Sequence, residues 1–257
     1  MCQLPDAPIK STLPRFATTL LLASLVVCQS VAAQESSAKP PATQPGSFDV
    51  KTSRIFVLVK GTGLGHSHGM EAKLKSGHLI LGASENAGQM VFDIGSFAAD
   101  TLTARKAVGL KGARPPRERG QVTKEMLGRK VLNKAKYPAA KFNIQSCQAT
   151  GLAKETGLPT YQLTGKFTLL GKSRQIVVPA TVKQESLKDN NDVLHLTGKF
   201  ALKQTGFGIR PFTKGFGAVG VADQLTIHGD FWLASTAESL SSLESMAPSR
   251  STTSRTR

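Results

Sequence analysis

The sequence predicts an all-β domain, an antiparallel sandwich or barrel. Two observations carry this. Apolar and polar residues alternate at period two in one segment after another, and Gly-rich turns separate those segments at short intervals. Helical periodicity is convincing only between Thr123 and Lys134.

Taken in order, the first strand alternates Ile55, Val57 and Val59 with Phe56, Leu58 and Lys60. Met90, Phe92 and Ile94 follow, with Val91 and Asp93 between them. The helix comes next. Met126, Leu127, Val131 and Leu132 share a face, Thr123 supplies a cap, and Tyr137-Pro138 stops the helix from continuing. Strand periodicity then resumes with Phe142 and Ile144, with Leu163, Gly165, Phe167 and Leu169, and with Ile176, Val178, Ala180 and Val182. Leu194, Leu196, Phe200 and Leu202 line one side of the next strand; Leu225, Ile227, Phe231 and Leu233 line one side of the last. The run from Leu163 to Leu169 is echoed from Leu196 to Leu202, which marks two strands with matched roles. Gly165 and Gly198 within them permit strand coiling or open room for a ligand.

Both ends read as separate from the fold. Residues 1–33 have the pattern of a signal peptide: Lys10 and Arg15, then the apolar run Thr19 to Val27, then Val31-Ala32-Ala33. The apolar run is too short for a membrane anchor. Val27 is bulky where a lipoprotein cut before Cys28 would want a small residue. Cleavage after Ala33 leaves a periplasmic or secreted protein beginning at Gln34. Residues 34–47 are rich in Ser, Pro, Ala and Gln and read as a disordered leader. Residues 235–257 are Ser/Thr-rich and read as a disordered tail. The folded domain is 48–234. Cys2 and Cys28 leave with the signal, so Cys147 is alone and no internal disulfide is available.

The formal net charge is +16. It is concentrated between Arg105 and Lys141, where twelve Lys and Arg residues face two acids, Glu118 and Glu125. Such a cluster attracts phosphates on nucleic acid or on anionic lipid. Export and the scarcity of aromatic residues there, Tyr137 apart, argue against nucleic acid. An anionic membrane surface and a solvated face that keeps the protein soluble remain as readings.

Several short motifs occur in a fixed order: Phe48-Asp49-Val50, Ser53-Arg54-Ile55, the Leu127 to Phe142 stretch with Tyr137-Pro138 and Phe142, Gly171-Lys172-Ser173-Arg174, Phe207-Gly208-Ile209, and Val221 to Ile227. In this order the chain resembles the YceI-like family over most of the folded domain. It departs from the family at Met126, where many members carry His, and at Gly206, where many carry Asp. The resemblance implies an eight-stranded antiparallel lipocalin-like β-barrel with one short helix. It also implies a carrier that holds a long apolar lipid: a polyisoprenoid, an isoprenoid quinone or a fatty amide. The candidates for the lining are Phe56, Leu58, Phe92, Phe142, Phe167, Phe200 and Phe231. No other cofactor is expected, and the sequence does not specify an oligomeric state.

A second constellation is Gly65-His66-Ser67-His68-Gly69. In a strand His66 and His68 would project to one side, and such a pair can hold zinc, copper or nickel. His78, His195, His228 or Glu71 would have to complete the site. The alternative function on this basis is a metal-binding or redox-partner periplasmic protein; the alternative structural role is a surface turn at the barrel mouth. Catalysis finds little support. There is no Gly-x-Ser-x-Gly elbow, Cys147 has no adjacent base, and no acidic residues form an obvious pair. Gly61-Thr62-Gly63-Leu64-Gly65 lacks the Lys and Ser or Thr of a phosphate loop. The expectation is a binding protein, not an enzyme.

Overall fold

Period-two segments do close into a barrel. The computed structural model describes residues 46–186, 192–235 and 237–246. The expected signal peptide, most of the leader and residues 247–257 lie outside the described residues. The strands in chain order are β1 (Arg54–Gly63), β2 (His68–Leu79), β3 (Gly88–Asp93), a two-residue β4 (Ala98–Ala99), β5 (Ala139–Leu152), β6 (Pro159–Leu169), β7 (Lys172–Ser186), β8 (Asp192–Lys203), a two-residue β9 (Thr213–Lys214) and β10 (Val219–Ala234). Eight of them form a ring in the order β1, β10, β8, β7, β6, β5, β3, β2, with β2 pairing back to β1. Every pairing is antiparallel. Closure leaves no free edge in the ring.

The glycines serve this closure in different ways. Gly165 sits opposite Ile144, where β5 bulges. A Cβ there would lie 2.1 Å from the Asn143 carbonyl oxygen, so only glycine lets the two backbones approach. Between β6 and β7 the turn is Leu170-Gly171, both at positive φ (53° and 73°), the two-residue hairpin geometry that matches strand twist. Lys172 already belongs to β7.

The described residues hold three α-helices where one was expected. The helix predicted from Thr123 to Lys134 is displaced toward the N-terminus, to α2 over Pro116–Leu127, which follows α1 (Leu102–Ala107). Pro116 enters at the first turn, where a missing N–H is harmless, and Gly128 ends the helix. Thr123 therefore lies inside α2, and its hydroxyl accepts from the Ala99 N–H at 3.0 Å, tying α2 to β4. Residues 128–137 continue as hydrogen-bonded turns. The short α1 is capped by Thr101, which accepts from the Ala104 N–H. The third helix, α3 (Ala237–Met246), falls in the stretch expected to be disordered. Leu243 is buried in the main core cluster, with Leu240 and Met246 packed against it. Leu240, Leu243 and Met246 recur at three-residue spacing, which gives this Ser-rich segment a narrow apolar face.

The barrel has two unlike ends. Hairpins β2–β3, β5–β6 and β7–β8 lie at one end. Phe48 pairs with Leu233 there, and its ring meets that of Phe231 edge-on at 5.6 Å. The connections β1–β2, β3–β5, β6–β7 and β8–β10 lie at the other, and α2 and β9 belong to them. The first end is filled by the core cluster that includes Phe48, Leu79, Leu194 and Leu233. The second leads into the cavity.

Candidate ligand-binding site

Side chains on alternate strand positions point inward and leave a cavity of about 1140 Å³. It exceeds the roughly 300–1,000 Å³ of common small-molecule sites. Ile55, Val57 and Val59 of β1 line it, as do Met70, Phe92, Phe142, Phe167, Phe200 and Phe231. The rings are arranged edge to face: Phe142 and Phe167 at 6.5 Å, Phe167 and Phe207 at 5.5 Å. One band of the wall is almost without side chains. Ala180, Gly198 and Gly229 are cross-strand neighbours on β7, β8 and β10, and all three line the cavity.

Five of the seven predicted lining residues thus surround one space. Phe56 and Leu58 do not. They occupy the opposite face of β1, where Phe56 packs with Ala104 and Val108 of the α1 region and Leu58 lies against them. β1 is apolar on both faces because the barrel interior takes one and α1 covers the other. Gly69 on β2 allows this cover, since a Cβ there would come within 3.0 Å of the Ala104 backbone.

The mouth end is polar and cationic. Val122, Glu125 and Met126 of α2, then Arg129 and Lys130, border the cavity from one side. Arg210, Pro211, Phe212 and Thr213 border it from another. Phe212, Phe216 and Leu64 are exposed, with Phe216 wholly so. The Leu64 N–H donates to the Ala218 carbonyl at 2.9 Å, which joins the two loop tips. Part of the predicted basic segment therefore lies at the cavity rim. Arg105 does not belong to that surface: it is buried and donates to Asp100 at 2.9 Å and to the carbonyls of Lys111 and Gly112.

Asp100 is the polar centre that the sequence did not suggest. It is 2% exposed. It accepts from Arg105 Nη1 and from the Gly69 N–H, and its other oxygen is 2.6 Å from His68 Nδ1. Burial alone would raise its carboxyl. The bonds from His68, Gly69 and Arg105 outweigh that and hold it below the ordinary carboxylate range. Asp100 also adopts a positive φ of 51°, which short polar residues tolerate best.

Among the described residues the predicted histidine pair is not joined by a third ligand. His66 lies before β2, exposed, whereas His68 opens β2 and is bound to Asp100. Among the described residues no group of three His, Cys, Asp or Glu side chains could hold a metal ion. His195 is engaged elsewhere, stacked on Trp232 at 4.1 Å and 2.6 Å from Asp230. Burial pushes the Cys147 thiol up to about 12, so it carries no thiolate at neutral pH.

Comparison with known families gives a match to the YceI-like domain over residues 47–232. The chain belongs to the YceI-like family. No curated protein matches it. The chain is similar to solved YceI-like and related structures at low identity. Burkholderia cenocepacia BcnA is 18% identical, with 73% of this chain and 99% of that chain covered and a TM-score of 0.44. A polyisoprenoid binding domain from Saccharophagus degradans, implicated in plant cell wall breakdown, is 11% identical, with 74% and 98% covered and a TM-score of 0.48. The Campylobacter jejuni YceI protein is 14% identical, with 69% and 85% covered and a TM-score of 0.40. Within this YceI-like barrel the phenylalanine-lined cavity, closed at one end and rimmed by cations at the other, is the candidate site.

Proposed function

We propose that this YceI-like barrel is a periplasmic or secreted carrier that binds a long-chain lipid, a polyisoprenoid, an isoprenoid quinone or a fatty amide, in its interior. The observation that carries this is the cavity of about 1140 Å³ whose wall is apolar everywhere except near the mouth. Removing an apolar chain from water is worth about 25 cal/mol per Å² of buried surface. A hydrocarbon needs no hydrogen bonds from its container, and the rings of Phe92, Phe142, Phe167, Phe200 and Phe231 offer none. The band of Ala180, Gly198 and Gly229 gives a chain room that large side chains would take. The role we propose is binding; among the described residues that line the cavity there is no Ser or Cys to act as a nucleophile.

Loading at an anionic membrane fits the mouth. Arg129, Lys130 and Arg210 would meet lipid headgroups while Phe212, Phe216 and Leu64 enter the interface. The ligand would then pass from bilayer to cavity without crossing water.

The test is direct. Organic extracts of the purified protein should contain one long-chain lipid in near-stoichiometric amount by mass spectrometry. A protein that carries none, and takes up none when offered polyprenol, quinone or fatty amide, does not have this function.

A further inference from the structure

Nearly all the polar groups that border the cavity belong to the connections at its rim; His68 stands on the barrel wall. It opens β2, pairs with Val59 of β1 and lines the cavity. Its ring is held from behind. Asp100, on the segment between β4 and α1, lies 2.6 Å from Nδ1 and is itself fixed by Arg105 and by the Gly69 N–H.

This arrangement sets the tautomer. Asp100 is an ionised carboxylate and can only accept, so Nδ1 carries the proton and donates. Nε2 is then the ring nitrogen left for whatever enters the cavity. Arg105 and Gly69 both donate to Asp100 Oδ1, so His68 Nδ1 is the partner of Oδ2. That bond occupies Nδ1 and fixes the ring; it makes no use of Nε2. Among the described residues the sealed side-chain nitrogen without a partner is Arg119 Nε, not His68 Nε2, so Nε2 is accessible to what enters the cavity.

The charge around it indicates what. The Asp100 carboxylate is balanced by the Arg105 guanidinium. Of the other charged groups that line the cavity, Glu125 is negative while Arg129, Lys130 and Arg210 are positive. The excess is cationic, and a proton added at Nε2 would increase it. An acidic head placed there would draw that proton and form a charge-assisted hydrogen bond, stronger than a neutral one.

We infer that His68, oriented by Asp100 and Arg105, binds the ionised acidic head of an amphiphile, a carboxylate or a phosphate, whose hydrocarbon tail occupies the phenylalanine-lined cavity. Asp100 is a positioning residue: it acts through the ring of His68. The inference rests on the lipid-binding reading above and narrows it from any apolar chain to an acid-headed one.

The experiment compares ligands that share one tail. Hexadecanoic acid, hexadecyl phosphate and hexadecanol each displace a fluorescent apolar probe from the whole protein, and from the variants His68→Leu and His68→Gln. The wild type should prefer the acid or the phosphate over the alcohol by about tenfold, the value of one hydrogen bond to a charged group. His68→Leu should lose that preference and keep its affinity for the alcohol; His68→Gln, which retains a donor, should recover part of it. The tighter of the two acidic compounds identifies the head as carboxylate or phosphate. Equal affinity of acid and alcohol for the wild type, or a preference that survives in His68→Leu, overturns the inference while leaving a lipid carrier intact. A parallel loss for all three ligands means a structural role for His68 and also overturns it. If none of the three binds the wild type, the inference fails, and the extraction and uptake test above decides the lipid-binding reading separately.

A measurement on the unmodified protein guards against a variant that does not fold. Nitrogen NMR of the His68 ring should find Nδ1 protonated in the free protein, with Nε2 gaining a proton when hexadecanoic acid is added. A proton on Nε2 alone in the free protein, or no change on addition, rejects the inference.

Discussion

Gly198 on β8 stands directly across from Gly229 on β10, and both line the cavity. A Cβ at Gly229 would lie 2.6 Å from the ring of Phe231, so the glycine makes room for that ring. Gly229→Val should push Phe231 toward Phe48 and Phe92, which lie 5.6 and 6.2 Å from it between ring centres. Overpacking of this kind costs about 1–3 kcal/mol. Chemical denaturation should register the loss, and ligand capacity should fall with it. A variant as stable as the wild type, with full capacity, would mean that the band of small residues is not where the ligand needs space.

Phe56 and Phe142 lie on opposite sides of the barrel wall, so equal truncations should have unequal consequences. Phe56→Ala removes the ring that packs with Ala104 and Val108. Both variants should lose about 3–5 kcal/mol, typical of a buried phenylalanine. Only Phe142→Ala should change ligand affinity, measured at a temperature where both remain folded. An equal effect of Phe56→Ala on binding would place Phe56 at the ligand after all.

Acid should weaken the protein through Asp100. Its folded-state value is lowered from 3.8, so its contribution is fully present above the unfolded value. That contribution is lost as pH falls through the lower folded value. Asp100→Asn should remove this portion of the acid limb in a plot of stability against pH. It should also lower stability near neutrality by about 3 kcal/mol, because Arg105 stays buried without its carboxylate. An unchanged acid limb in the variant would mean that Asp100 is protonated in the folded protein.

Membrane attachment should depend on a few mouth residues together. Each cation near an anionic surface is worth about 1 kcal/mol, and salt confines its reach to about 10 Å. Reversing Arg129, Lys130 and Arg210 to Glu should abolish sedimentation with phosphatidylserine vesicles at low salt, and Phe212→Ala with Phe216→Ala should weaken it. Retention of preloaded lipid should persist in both sets. Wild-type protein that ignores such vesicles would show the cations to be a solvated rim.

The barrel was legible because each strand announces its inward face. Phe142 and Phe167 sit between polar neighbours, Lys141 and Asn143, Lys166 and Thr168, and closure brings them together with Phe92, Phe200 and Phe231. β1 defeated that rule. Phe56 and Leu58 are as apolar as Val57 and Val59, and only the presence of α1 outside the barrel tells the two sets apart. A six-residue helix has too few turns to show a period, so α1 left no trace beyond Thr101 as a cap. The partnership of His68 with Asp100 spans 32 positions and depends on where that helix lands. The displacement of α2 has a simpler cause. Pro115-Pro116 and Gly128 mark its ends, but the apolar cluster of Met126, Leu127 and Val131 straddles its C-terminus and draws the eye beyond it.

With the connections β3–β5 and β8–β10 gathered at one end, the barrel has a front and a back. The back includes the exposed turn at Lys154-Glu155-Thr156 between β5 and β6, remote in the chain from α2 and β9. A cysteine introduced there by Glu155→Cys would be chemically distinct from Cys147, which is sealed in the core. Molecules of the chain from Gln34 onward, without Cys2 and Cys28, anchored to a solid support through that thiol would all stand upright, with their openings turned toward the solution and available for exchange.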